Sequence, residues 1–357
     1  MISKARLLCL CLVAATVVAA CTSAATAGAT AKPAAVYSII PTQSEVRVLM
    51  GDANWWAGPP SFAVDPLDFA LRPASEKYAV GVTYMHIGTA EEILARYTVY
   101  DKSSSATSAM SAYQSAYGTS PSSPKVGDQV LYYGLAGSGG APIVYRTFVR
   151  VGQIVLTLIW ARKDMPASSQ QLLNQLGKNA KAFSEGLKNI DKVRAKLQAV
   201  DPKQLPPPGL DITLLGSAVL PIEAFATMTL SAVPDPLVAS LKQLGLDKFA
   251  YGDYALNNDT HMEVQTALFT FPSPAAALAY AKGLGPGTPN PDGLYGAYIK
   301  ASGSPGAGQY HYVFAEGPYG VYMICKPSIE GEAASRECED PMQTTAIAWM
   351  AALQGIG

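Results

Sequence analysis

Along this chain, short stretches alternating apolar and polar residues give way repeatedly to stretches whose apolar positions recur at three and four. Thr266–Phe271 alternates as a strand, passes through Ser273 and Pro274, and becomes an Ala-rich helix ending near Lys282. Arg96–Tyr113 has the same order: an aromatic strand, a polar turn at Asp101–Ser104, and an Ala/Ser helix carrying a tyrosine. Around that first unit the pattern predicts a short helix over 41–50 capped by Thr42 or Ser44 and strands over 78–87 and 91–100. A helix over 103–117 and strands over 130–135, 144–151 and 153–161 follow, the last two forming a hairpin at Gly152. Leu172, Leu176, Ala180, Phe183 and Leu187 then mark an amphipathic helix that covers one face of the sheet. Between the first helix and the first strand, Asp52–Pro73 has no regular period, being broken by Gly58, Pro59, Pro60, Pro66 and Pro73, and reads as loop with short turns.

The second half repeats the order. A helix is expected over 235–244, strands over 249–256 and 262–271 about the turn Asn257–Asp259, and a helix over 273–283. Strands over 293–301, 309–315 and 320–326 and a final helix over 341–353 complete it, with Asp340 and Pro341 as N-cap and first-turn residues. Met342, Ala346, Trp349, Met350 and Leu353 form that helix's buried stripe. Both halves carry a Gly/Ser loop before the terminal hairpin, over 136–140 and 302–308. The expected fold is therefore α+β, with two tandem similar domains, each an antiparallel sheet packed with flanking helices. The first domain spans 37–200 and the second 210–357. Residues 201–209 join them, and three consecutive prolines there favour a semi-rigid extended spacer.

The N-terminus adds compartment to architecture. Met1–Arg6 is short and basic, Leu7–Val18 is apolar except for Thr16, and Val18-Ala19-Ala20-Cys21 follows. A run of that length falls short of a bilayer span, so residues 1–20 read as an export signal. Val18–Cys21 resembles the lipobox of bacterial lipoproteins, and that resemblance implies that Cys21 begins the mature chain and receives the lipid. The alternative is an ordinary secretory signal cut near Ala24–Ala27. Residues 21–36, rich in Ala, Thr, Ser and Gly, bury too little apolar surface to offset chain entropy and are expected to form a flexible tether.

Composition narrows the partners. Without the signal's Lys4 and Arg6, 24 basic residues face 27 acidic ones, a formal charge of -3. Such a chain offers no basic footprint for nucleic acid. It is 49% hydrophobic and only 15% charged, as expected of domains with substantial cores.

Tests for chemistry return little. The Gly/Ser loops lie between predicted strands without a following Gly-Lys-Ser/Thr, so they read as hairpin connections and not as phosphate cradles. Ser122-Ser-Pro-Lys125 has the Ser-x-x-Lys spacing of penicillin-recognising enzymes but none of their partner motifs. His86, His261 and His311 form no metal-ligand array, and no cofactor or catalytic constellation is evident. His86 and His261 sit near corresponding strand turns, where they either face each other or are hydrogen-bonded separately. Cys325 and Cys338 remain once Cys9 and Cys11 leave with the signal and Cys21 takes lipid. In an exported chain they are expected to form a disulfide, which in the chain-entropy model contributes about 3 kcal/mol. Glu330, Glu332 and Glu337 within that loop lack the spacing of a calcium loop and read as a solvated acidic surface.

Aromatic residues supply the remaining candidates. Nineteen tyrosines outnumber nine phenylalanines, and several lie in the predicted hairpins, where cross-strand pairing accounts for them. Trp55 and Trp56, adjacent in the proline-broken stretch, are either packed or ligand-binding. The element order resembles small extracytoplasmic lipoprotein domains of actinobacteria and, more distantly, the extrinsic P-protein of photosystem II; neither resemblance carries functional residues across. The resulting expectation is a membrane-anchored, non-enzymatic binding or scaffold module for an envelope lipid, glycan or protein. An envelope hydrolase or transferase, or a sensor subunit of another membrane protein, is the alternative.

Overall fold

The computed structural model describes residues 31–62, 75–89, 91–121, 124–135, 143–162, 169–192, 200, 205, 212–229, 234–256, 259–285, 287–298, 309–327 and 336–355. The expected signal, Cys21, both Gly/Ser loops, and most of the proline linker and acidic loop lie outside them. Among the described residues, no helix is long and apolar enough to cross a membrane.

The first domain opens with helices α1 (Pro33–Ile39) and α2 (Gln43–Met50), followed by strands β1 (Trp55–Ser61), β2 (Glu76–His86) and β3 (Glu91–Tyr100). Helix α3 (Ser103–Tyr117), strands β4 (Gln129–Leu135), β5 (Ile143–Val151) and β6 (Ile154–Arg162), and helix α4 (Ser169–Ser184) complete it, with a 3-10 turn over Glu185–Lys192. Strands order as β1-β2-β3-β6-β5-β4, with every neighbouring pair antiparallel. The second domain contains β7 (Ile212–Pro221), α5 (Glu223–Met228), α6 (Pro234–Gln243), β8 (Lys248–Leu256), β9 (Asp259–Thr270), α7 (Pro274–Leu284), β10 (Tyr295–Tyr298), β11 (Tyr310–Glu316), β12 (Tyr319–Pro327) and α8 (Glu339–Gln354). Its sheet runs β7-β8-β9-β12-β11-β10, the same order as the first. The α+β fold with two similar domains is thus as the periodicity implied.

Each sheet is covered on both faces. In the first, α1 and α4 bury Val36, Leu176 and Phe183 against Val82, Tyr84, Ala95 and Leu156, while α3 packs Ala109, Met110 and Tyr113 against Phe148 and Val155. In the second, Phe225 of α5 and Tyr280 of α7 meet Phe269 and Tyr322 on one face, while Met342, Ala346 and Trp349 of α8 meet Tyr254, Val264 and Tyr312 on the other. The tyrosines of the hairpin strands are mostly buried here, as cross-strand packing requires.

Four details differ from the sequence reading. Asp52–Pro73 is not all loop, because β1 runs through Gly58, Pro59 and Pro60. Proline is tolerated there because β1 is an edge strand with a register shift between Ala57 and Pro60, so no ladder donor is lost. The end of the expected tether is not a tether, since Pro33–Val36 lie in α1 and Val36 is fully buried. β7 and α5 fill a stretch for which the hydrophobic pattern predicted no element. Finally, α8 begins at Glu339, with Cys338 and not Asp340 at its N-cap. The Cys325–Cys338 disulfide, at a Cα separation of 6.4 Å, ties that N-cap to β12 and sets where the helix starts.

Candidate functional site

The two domains are interlocked through β1. Successive side chains of a strand point to opposite faces, so Trp55 enters the core of the first domain, edge-on to His86, while Trp56 enters the core of the second. They are 2% and 6% exposed, so neither ring is open to a ligand. The Arg47 guanidinium lies 5.2 Å from the Trp56 ring, and its Nε donates to the Trp55 carbonyl at 2.8 Å. Beyond the tryptophans, Gly58 meets Thr227 of α5, where an added Cβ would stand 3.3 Å from the threonine methyl. At the far end of β1, the Tyr251 hydroxyl donates to the Pro60 carbonyl at 2.7 Å, and the Phe62 N–H donates to Asp253 Oδ2 at 2.6 Å. The Phe62 ring sits over Gly216, where a Cβ would come within 2.4 Å of it.

Between these contacts and the first two helices lies a cleft of about 570 Å³. The first domain contributes the end of α1, the first turn of α2, Ala57 and Gly58 of β1, and Val82 and Tyr84 of β2; the second contributes Val219, Leu220, Pro221, Glu223 and Ala224. This size and an interdomain position are usual attributes of a small-molecule site, and the walls mix apolar side chains with polar and charged ones. Arg47 lines the cleft and ties α2 to β1 through the Trp55 carbonyl and the Trp56 ring.

Local chemistry explains the shape of the wall. Thr42 and Glu45 form a reciprocal capping box: Thr42 Oγ1 accepts from the Glu45 N–H, and Glu45 Oε2 accepts from the Thr42 N–H at 2.7 Å. The Tyr84 hydroxyl donates to the Pro41 carbonyl, fixing the turn between α1 and α2. Gln43 Oε1 accepts the outward-facing Ala57 N–H at 3.0 Å, which caps the exposed edge of β1 against further strand pairing. Across the cleft, Glu223 is paired with Lys242 at 2.7 Å. Tyr37, half-buried on the wall, has its phenol pushed above its usual value by burial, and its hydroxyl makes no hydrogen bond among the described residues.

The other sequence candidates lie elsewhere. His86 Nε2 is 2.9 Å from Asp52 Oδ2, and its Nδ1 is 2.9 Å from Thr89 Oγ1. The His86 hydrogen bond, with others, holds the Asp52 carboxyl below its usual value. This Asp–His–Thr chain clamps two turns together, and none of its members lines the cleft. His311 is buried with Nδ1 at 3.1 Å from the Tyr322 hydroxyl, and burial lowers its pKa to about 4, so the ring is neutral at physiological pH. The side chain of His261 lies outside the described residues, as does Ser122. Among the described residues no group of three or more His, Cys, Asp or Glu is placed to hold a metal.

A second polar feature, missed from sequence, adjoins the domain junction. Asp253 is fully buried, and burial together with neighbouring Glu263 pushes its carboxyl well above its usual value. Its Oδ1 and the Gln265 Oε1 opposite it in the ladder make no hydrogen bonds among the described residues. Burial drives the Lys326 amine down while Glu263 and Asp253 draw it up. A lone aspartate within an alternating strand gave no sign of such a role.

No protein-family model matches the chain, and no curated protein matches it in sequence. Among solved structures, the extracellular domain of PknH from Mycobacterium tuberculosis is similar with a TM-score of 0.32 and 11% identity, over 42% of this chain and 93% of that domain. At that distance the likeness supports no statement about this chain's activity.

Proposed function

We propose that this chain is an exported, lipid-anchored module that binds a cell-envelope molecule in the cleft between its two domains. The cleft carries the reading: its walls come from both domains, β1 contributes Ala57 and Gly58 to it, and Tyr37, whose hydroxyl makes no hydrogen bond among the described residues, lines it. Export is supported by the basic and apolar N-terminus and by the Cys325–Cys338 disulfide, a bond at home in oxidising compartments. Anchoring rests on Val18–Cys21 and its resemblance to a lipobox. Several acyl chains on one cysteine hold firmly, because each buried methylene contributes about 0.8 kcal/mol.

Two measurements test this. Cys21→Ser shifts the protein from the membrane to the soluble fraction; retention in the membrane refutes the anchor. Native mass spectrometry of that soluble form, purified from its own envelope extract, shows a bound small molecule. The mass disappears in Ser44→Trp, which places a large ring at the exposed mouth of the cleft. A clean apo mass, or a ligand indifferent to Ser44→Trp, refutes the cleft as the site.

A further inference from the structure

Resting on the proposed binding role, we infer that the ligand of this cleft carries an oxyanion, a carboxylate or a phosphate, and that Arg47 and Gln43 receive it. These residues lie four positions apart on α2, on the same face of the helix, and both line the cleft. Each is fixed by β1. Arg47 Nε donates to the Trp55 carbonyl at 2.8 Å with the guanidinium 5.2 Å from the Trp56 ring, and Gln43 Oε1 accepts from the Ala57 N–H at 3.0 Å. What each anchor leaves over is a donor. Neither the Arg47 Nη groups nor Gln43 Nε2 make a hydrogen bond among the described residues. The Tyr37 hydroxyl lines the same cleft, and burial raises its pKa, so it remains a donor at neutral pH.

A neutral carbonyl and a ring face leave the guanidinium charge intact. A half-buried guanidinium with unused N–H groups is best satisfied by an oxyanion, which accepts from two of them in parallel. Because Arg47 is held before any ligand arrives, less side-chain entropy is lost on binding. Two carboxylates also line the cleft. Glu223 is paired with Lys242 at 2.7 Å. Glu45 keeps its charge, but at two positions from both Gln43 and Arg47 it lies about 200° around α2 from them. Its Oε2 is drawn back to the N-cap by the Thr42 N–H and hydroxyl at 2.7 and 2.9 Å, and no ion pair joins it to Arg47 among the described residues. Glu45 therefore weakens the attraction for an anion without occupying the guanidinium.

Octanol, nonanoate and octyl phosphate share the octyl chain and differ in the head group. Their binding to the mature Cys21→Ser chain is measured by ligand-observed NMR titration. One or both anions bind about tenfold tighter than octanol, the worth of a charge-assisted hydrogen bond, and lose that margin as salt is raised. A gain for nonanoate alone assigns a carboxylate, and a gain for octyl phosphate alone a phosphate. Arg47→Gln removes the margin. Because Arg47 also ties α2 to β1, Gln43→Glu is the variant that spares the fold: it keeps an oxygen for the Ala57 N–H and places an acid favourably in the first turn of α2. It too removes the margin, while octanol binding persists. Glu45→Gln preserves the capping box and raises the affinity for the anions severalfold. Octanol binding as tightly as both anions, failure of all three probes to bind, or anion binding indifferent to either Gln43→Glu or Glu45→Gln overturns the inference. So does a molecule that co-purifies from the envelope, is lost in Ser44→Trp and carries neither carboxylate nor phosphate, an outcome that leaves the binding role intact. A clean apo mass from the envelope extract removes the binding role, and the inference with it.

Discussion

Trp56→Ala should destabilise the second domain although the residue belongs to the first. The ring is 6% exposed and belongs to the cluster formed by Ala218, Leu220, Phe225, Tyr251 and other buried residues of the second domain. Truncating a buried tryptophan to alanine costs about 3–5 kcal/mol, combining lost transfer energy with the cavity left behind. Loss of the Arg47 stacking adds about 0.5–1 kcal/mol. Against a typical domain stability of about 5–15 kcal/mol this is a large fraction, and it translates into a melting point lower by roughly 10 °C. Hydrogen exchange resolved by peptide locates the effect. At about 1.4 kcal/mol per factor of ten, exchange of the globally protected amides in β8 and β9 should accelerate by at least roughly 100-fold. Trp55→Ala is the matched control: the same chemical change one residue away, directed into the first core. If Trp56→Ala leaves β8 and β9 protected while loosening β2 and β3, the interlocking of the domains is wrong.

Two further predictions concern the second domain. Because the Asp253 carboxyl is raised when folded, its contribution to stability is full below its ordinary value of 3.8 and declines as pH rises through the window up to its folded value. Asp253→Asn keeps an oxygen to accept the Phe62 N–H and removes that decline. Denaturant unfolding from pH 4 to 9 should therefore give a flatter profile than the parent, and parallel profiles would refute the assignment. Cys325→Ser opens a bond spanning 13 positions and should cost about 3 kcal/mol. The second domain's transition should fall in calorimetry; unchanged melting would contradict a stabilising role for the bond.

The alternation of apolar and polar residues was sufficient to determine most elements. The helices around Ala109, Leu176, Ala277 and Trp349 and the hairpin strands are local patterns, because period 2 and period 3.6 are properties of neighbours along the chain. The shared element order of the halves was legible for the same reason, and the Cys325–Cys338 pairing because these are the two cysteines left over in a chain read as exported. Thr42-x-x-Glu45 was legible too, as a cap signal, although nothing local said that the capped turn would line a cleft.

What only the tertiary structure decided depends on residues far apart in sequence. Gly58, Pro59 and Pro60 argue against a strand unless that strand lies at a sheet edge, and edge position is set by pairing and not by composition. Pro60 and Phe62 meet Tyr251 and Asp253 across 191 positions, so neither the interlocked domains nor the buried aspartate has a local signature. Trp55 and Trp56 looked alike as adjacent aromatics; the pleat of β1 sent one into each core. The cleft exists because two domains, each legible in its own periodicity, meet through contacts that no single stretch of chain contains.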